Sequence, residues 1–520
     1  MSDVLGRLLA PVDIASLVFF RIGFGSLMAW WAWDYLASGR VAYYYIQPRF
    51  HFTYYLFDWV RPWPGSGMYF HFLALIVLAL CIAAGCCYRL ACVLFAAGFM
   101  YVFLLDATNY QNHYYLIILL SWVLVILPAN KIVSVDAAWR KYRSPHAPRE
   151  ELHHAEREAY DTTPAWTIWL LRFHIALPYF FGGVAKLDAD WYSGASVRQM
   201  LSGRGGLPII GAWLTTDLAA SFFTWGGLLF DLSIVPLLLW RKTRPAAYAL
   251  CVLFHVLNSV LWQIHVFPWF MIFATTIFFE PDWPRRVLGG RPLTIAAPQP
   301  FAWQSLNRMA RLGFALLAAY CVFHLWWPLR HQLYGPGVNW TERGHYFSWR
   351  MMLRNKVAGV RYYLTDPASG KTLNPDLRPY LNAEQAGKFT KDPEMILQLA
   401  HFLAAEHRRE TGRPLEVRAL VLTSLNGRKP QLLVDRCRGS LDQAQRTNEG
   451  SFEFETANRK VLDGTLCLSH IESIEWNLNL SQCVPFNPVF LQRHLLSLRR
   501  TRINRSAEPA LEKALVFETM

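Results

Sequence analysis

Seven side chains in this sequence could do acid–base chemistry where charge is expensive to hold. Arg21, Arg172, His174, Lys186, Asp231 and His255 lie in or at the end of long apolar runs, and His113 stands at the start of another. An ionisable group surrounded by hydrocarbon is costly, so it is a candidate for function. Structural readings compete with that. Arg21, Arg172 and Asp231 could pair with one another, and His174 could bond a neighbouring backbone group. Lys186 ends its run and could be an amine reaching back to the membrane interface. Its setting argues for more. Phe180-Phe181-Gly182-Gly183-Val184-Ala185-Lys186 puts the amine directly after a glycine pair, where a helix can loosen, and Leu187-Asp188-Ala189-Asp190-Trp191 follows at once. Burial favours the neutral form of a lysine, and only the neutral amine can accept a proton.

The elements that must position these groups are membrane helices. Charged residues make up 17% of the 520 positions, below the roughly 25% of an ordinary soluble domain. The 22 tryptophans suit interfacial belts. A spanning helix needs about 20 mostly apolar residues. Nine runs are candidates, roughly 13–34, 68–87, 90–105, 113–128, 164–185, 219–240, 245–264, 265–281 and 309–328. The third and fourth are short. The seventh and eighth are divided only by Gln263 and His265, which predicts a tight hairpin. The first run carries Arg21 and is too long and aromatic for a cleavable leader.

Basic residues set the orientation. Lys131, Arg140, Lys141, Arg143, Arg149 and Arg157 follow the fourth run; Arg241, Lys242 and Arg244 follow the sixth; Arg285, Arg286, Arg291, Arg308 and Arg311 follow the eighth. These loops fall on one side, so the N-terminus is expected in the cytoplasm. With nine spans the C-terminal part is then periplasmic or extracellular, or lumenal in an endoplasmic reticulum. The net charge of +14 is accounted for by such loops, and nucleic acid is not expected as a partner.

Two domains are expected: a helical membrane domain over 1–328 and a mixed α/β, β-rich extracytoplasmic domain over 329–520. In the second, Val360–Leu364, Leu415–Leu422 and Gln431–Val434 read as strands, Asn426-Gly427 as a turn, and Met395–Arg409 as an amphipathic helix. Six of the nine cysteines lie in or beside apolar runs as packing residues. Two of Cys437, Cys467 and Cys483 could form a disulfide if that region is outside the cytoplasm, and the pairing stays open. No CxxC…CxxC pattern occurs, and no metal is expected.

The expected topology brings the polar groups together. The fifth run goes outward and ends at Lys186, the fourth goes inward from Asn112-His113, and the seventh carries His255, Asn258 and Ser259 on one face at spacings of three and four. All fall in the outer half of the bilayer. One amine, two imidazoles and two amides could therefore line one cavity.

At this point particular segments become recognisable. Gly183-Val184-Ala185-Lys186-Leu187-Asp188-Ala189-Asp190-Trp191 resembles the segment bearing the catalytic lysine of the vitamin K-dependent γ-glutamyl carboxylases. Asn112-His113 before Tyr114-Tyr115-Leu116 is similar to that family's Asn-His pair. Trp225-Gly226-Gly227-Leu228-Leu229-Phe230-Asp231-Leu232-Ser233 resembles its following helix. Phe254-His255-Val256-Leu257-Asn258-Ser259 resembles its second histidine segment, and Pro281-Asp282-Trp283-Pro284-Arg285 the stretch after that. Phe347-Ser348-Trp349-Arg350-Met351-Met352 resembles its aromatic-Ser-Trp-x-Met-Met motif. The matches are in order and run from about residue 13 to 410.

The resemblance implies an enzyme of the carbon–carbon lyase type. Reduced vitamin K would be deprotonated by Lys186 and would react with O2 on the way to its epoxide. The strong base so generated would take a γ-hydrogen from a glutamate in a peptide or protein acceptor, and CO2 would add there. His113 would stabilise charge on the quinone oxygens, and Asn112, His255 and Asn258 would bind the ring. Trp349, Met351 and Met352 would meet the acceptor. A dry site immersed in membrane lipid suits so strong a base. The sequence departs from the vertebrate pattern where Ala185-Lys186 stands for two lysines and Arg350 for an acidic residue. Two alternatives are quinone epoxidation without protein carboxylation, and a transporter or scaffold with structural polar pairs.

Overall fold

A helix that is apolar all round needs two apolar neighbours, protein on one side and lipid on the other. Such helices dominate the first two thirds of the computed structural model, which describes residues 2–143, 161–262, 264–291, 293, 306–334, 337–433 and 466–467. The apolar helices are α1 (Ala15–Ala37), α2 (Gly67–Ala84), α3 (Tyr88–Leu104), α4 (Asn112–Ile126), α5 (Ala165–Ala185), α6 (Asp217–Leu239), α7 (Arg244–Leu261), α8 (Phe267–Thr275) and α9 (Arg308–Trp326). On α2 the residues Met68, Phe72, Leu75, Ala79 and Ile82 are buried, while Phe70, Leu73, Val77 and Leu80 are exposed. Both stripes keep steps of three and four and both are apolar, so the outer one is suited to lipid.

Six segments are long and apolar enough to cross a membrane: α1, α2, α5, α6, α7 and residues 308–334, which α9 opens. The helices at 88–104, 112–126 and 267–278 are shorter. All nine apolar runs expected from hydropathy are helical in the structure, six of them at full spanning length and three of them shorter. The α7–α8 hairpin forms as expected, with His265 in a left-handed conformation between the helices.

The two arginines of the apolar runs, Arg21 and Arg172, are held by backbone carbonyls. Arg21 donates to the carbonyls of Ala129 at 3.1 Å and Val133 at 2.6 Å. Arg172 donates to the carbonyls of Ile277 and Phe279, both at 2.9 Å. These guanidiniums satisfy helix-end carbonyls, so the expected pairing of Arg21 and Arg172 with Asp231 does not occur. His174 does bond backbone, at Leu170 O (2.8 Å), and its Nε2 meets the Tyr320 hydroxyl of α9 at 2.7 Å.

The following region is built on antiparallel pairing of β1 (Lys356–Thr365) with a later strand. β2 (Thr372–Leu373), α10 (Ala383–Phe389), α11 (Pro393–Thr411), β3 (Glu416–Leu425), β4 (Gln431–Leu432) and β5 (Leu466–Cys467) complete it. The sheet order is β2-β1-β3-β4, with β5 also pairing with β3. Alternate residues of β3, from Val417 to Leu425, are buried, as period-two alternation requires. The face of α11 carrying Ile396, Leu399, Ala400 and Leu403 covers them, and the Tyr362 hydroxyl of β1 donates to Ile396 O at 2.8 Å.

This region is docked on the helices rather than only tethered to them. Gln385 donates to Asp106 at 2.6 Å, Asn382 to Tyr43 O at 2.8 Å, and the Thr53 amide to Gln398 at 3.0 Å. Asn426, left-handed in the expected turn, donates to Asp190 at 3.3 Å, and Arg428 pairs with the same carboxylate. The sheet is thus anchored four residues beyond Lys186. Cys437 and Cys483, and with them any disulfide, lie outside the described residues, as do Arg149, Arg157, Gln263 and Val434.

Candidate active site

The helical conformation of α5 runs unbroken through Gly182-Gly183 to Ala185, and Lys186 is its C-terminal cap. The glycine pair does not loosen the helix. It lets another helix come close: a Cβ on Gly183 would lie 2.6 Å from Leu232 Cδ2 and 3.2 Å from Leu232 N on α6. That approach brings Asp231 to the amine. Lys186 Nζ donates to Asp231 Oδ2 at 2.5 Å and to Gly182 O at 3.3 Å, and stands 5.2 Å from the centre of the Trp191 ring. Both partners are 7% exposed. Trp191 is fixed by its indole N–H to Thr224 O at 3.0 Å, and Asp188 caps the turn between by accepting from Asp190 N at 2.9 Å. The amine therefore sits in an apolar wall with one carboxyl group and one aromatic face.

The imidazoles gather around Phe267 at the start of α8. His113 stacks on it, with centroids 4.7 Å apart and planes 21° apart. His255 meets the same ring edge-on at 6.1 Å. The Tyr179 hydroxyl is 2.7 Å from His255 Nε2 and 3.3 Å from Cys251 Sγ. Tyr179 precedes Lys186 by two turns on one face of α5, about 10 Å along the axis, so one helix face carries both the amine and the group that holds His255. Asn258 follows His255 on its face of α7. Neither the His113 ring nor the Asn258 amide has a hydrogen-bond partner among the described residues. Ser259 turns back to Val256 O at 2.7 Å and is not part of this set.

Asn112 is held from below. The Tyr110 hydroxyl donates to Asn112 Oδ1 at 3.0 Å and accepts from Phe347 N at 2.6 Å. Phe347 opens the segment expected to meet an acceptor, and its neighbours behave differently from one another. Trp349 is buried with its ring 4.9 Å from that of Tyr115, two residues beyond His113. The Met351 methyl lies 3.4 Å from where a Cβ on Gly182 would stand. Met352 is 44% exposed and joins none of these contacts.

Lys186 and Asp231 are thus one group, and His113 and His255 another, with Tyr179 between them. In sequence Asp231 is a candidate for function or an arginine partner, with nothing that pairs it to Lys186, and Tyr179, Tyr110 and Phe267 do not stand out. A signal existed for Asp231, because it follows Gly226-Gly227 on a helix that must pass a second glycine pair. The others are neutral aromatics, and nothing in their spacing marks them.

Two family models match the chain in succession. The HTTM domain covers residues 9–283, over half of the chain, and the vitamin K-dependent gamma-carboxylase lumenal domain covers 309–447. No solved structure matches. The first match contains Lys186, His113, Asn112, His255 and Asp231, and the second contains the Phe347–Met352 segment packed beside them. The chain belongs to the vitamin K-dependent gamma-carboxylase family, as a membrane protein of carboxylase-like role with an HTTM domain followed by that family's lumenal domain.

Proposed function

We propose that this protein oxidises reduced vitamin K to its epoxide with O2 and carboxylates glutamate in a peptide or protein acceptor. The observation that carries this reading is the Lys186 amine, 7% exposed and 2.5 Å from Asp231. Reduced vitamin K, when bound, would supply with O2 the base strong enough to take a γ-hydrogen from glutamate. The residues present fit such a group. The His113 ring and Asn258 amide are hydrogen-bonding groups without a partner among the described residues, as a flat ligand with two oxygens needs, and Phe267 supplies an aromatic edge.

With the pair's proton on Asp231, Lys186 is a neutral amine able to take one from a bound quinol hydroxyl. Asp231 and the Trp191 face then stabilise the ammonium that results. His113 donates toward charge developing on a quinone oxygen, and Asn112, His255 and Asn258 orient the ring. The aromatic wall excludes water, which would otherwise quench a strong base. Trp349 and Met351 meet the acceptor. The alternation of basic loops supports a cytoplasmic N-terminus and an extracytoplasmic domain over 329–520, following a membrane domain over 1–328.

Purified protein given reduced vitamin K, O2, labelled CO2 and a glutamate-containing peptide tests the reading. Epoxide and labelled peptide together are expected. Epoxide alone would leave a quinol epoxidase, and neither would remove the proposal.

Tyr110 gives a further test. Its hydroxyl holds Asn112 Oδ1, which leaves the amide N–H groups for the ligand. Tyr110→Phe keeps the ring and removes two hydrogen bonds, the one accepted from Phe347 N and the one to Asn112 Oδ1 that fixes the amide, each worth roughly 0.5–1.5 kcal/mol. The KM for quinol should rise about two- to tenfold while the KM for peptide changes less. In an Asn112→Ala background the same change should do little more; an undiminished second effect would show that Tyr110 does not act through Asn112.

A further inference from the structure

Buried cations among the described residues are either paired with a carboxylate or held by neutral acceptors alone. Lys186 has Asp231, Arg244 has Glu280 at 2.9 Å, and Lys356 has Glu342 at 3.0 Å. Arg354 shares Glu342, Arg21 holds two carbonyls, and Arg330 holds carbonyls of Trp327 and Tyr346. Arg350 is of the second kind. It is 7% exposed, and its partners are His331 Nε2 at 3.3 Å from Nη1 and Asn339 Oδ1 at 3.0 Å from Nη2. Its Nε, like that of Arg21, is buried with no partner, and among the described residues no carboxylate lies within ion-pair distance of it. Burial lowers this guanidinium to about 10, with Asp188 and Glu342 acting only from a distance. His331 gives no compensation, because its Nδ1–H is committed to Pro328 O at 2.8 Å and Nε2 is left as a neutral acceptor. A charge taken out of water is costly to hold, and an anionic ligand against this guanidinium would offset that cost.

The backbone fixes where this charge sits. Trp349 and Met352, on either side of Arg350-Met351, have φ of 55° and 53°. Bulky residues rarely adopt this left-handed region, and such strain persists where the surroundings enforce it. Met351 reaches Gly182, one turn before Lys186. Arg350 is therefore tied to the edge of the candidate active site.

We infer that Arg350 holds the carboxylate of the acceptor glutamate. This rests on the function proposed above. Removing a γ-hydrogen places a second negative charge beside a carboxylate, and a guanidinium offering a free N–H in a water-poor setting stabilises that charge. The grip belongs to this chain, since the vertebrate enzymes resembled carry an acidic residue at that position.

The test compares two peptides, identical except for Glu or Gln at the acceptor position, binding to the full chain in lipid nanodiscs. Wild type should prefer the Glu peptide by about tenfold or more, the effect of a charge-assisted bond. Arg350→Met should lose that preference without a lower Tm, because an apolar side chain replaces an uncompensated charge. A Met variant with the wild-type preference overturns the assignment. If that variant does not stay folded, Arg350→Lys decides: it keeps charge but loses the planar fork, so a reduced preference supports the assignment and an unchanged one overturns it. A wild type without a Glu preference also overturns it, and epoxide formation in the same preparation then reports separately on the proposed function.

Discussion

Alanine in place of Lys186 is expected to lower epoxide formation from reduced vitamin K by roughly a thousandfold, within the range that a positioned general base contributes. Among the described residues no second lysine pairs with Asp231: Lys131 donates to Thr162 O and Lys356 is held by Glu342. The variant should stay folded, because Asp231 left alone can be carried as the neutral acid and still bond within the bundle. Loss of epoxide with an unchanged Tm would separate chemistry from stability. An intact rate would mean that the proton leaves by another group, and Lys186 would then be a structural partner of Asp231.

Removing the other partner should do more damage to the fold. Asp231→Asn leaves a lysine buried with only Gly182 O and the Trp191 face. Breaking a buried pair from one side typically costs about 3–5 kcal/mol. Thermal unfolding should show that loss, and epoxide formation should fall about a hundredfold as the ammonium formed in turnover loses its stabilising carboxyl group. The double variant Lys186→Met with Asp231→Leu separates the two roles. It replaces the pair by apolar groups of similar size, so the Tm should return to near wild type while activity stays absent. Recovery of activity in that variant would contradict any role for the pair in catalysis.

Local features were the most readable in sequence. The α7–α8 hairpin, the left-handed Asn426-Gly427 turn and helix α11 lie where apolar spacing and turn residues put them. Lys186 was visible too, since a lysine at the end of an apolar run is conspicuous by itself. Relations between distant segments were not readable. Asp231 lies 45 positions from Lys186, and its ionisability alone made either arginine an equal candidate. The glycine pair carried the needed information in a form open to two meanings, a loosened helix or a close helix–helix approach, and only packing against Leu232 decides. The number of crossings was less readable than the helices themselves: α4 is strongly apolar, yet at 15 residues it is short for a span. Tyr179 and Tyr110 escaped because a neutral phenol in an aromatic-rich bundle has no distinguishing pattern until its hydroxyl is seen on His255 or Asn112.

The central claim is that one buried amine begins both reactions, and the two products measured in one vessel test it most directly. With saturating Glu peptide and labelled CO2, epoxide and peptide label should rise together, both should require reduced vitamin K and O2, and both should vanish in Lys186→Ala. Label appearing without the quinol, or either product persisting when residue 186 has no amine, would contradict it.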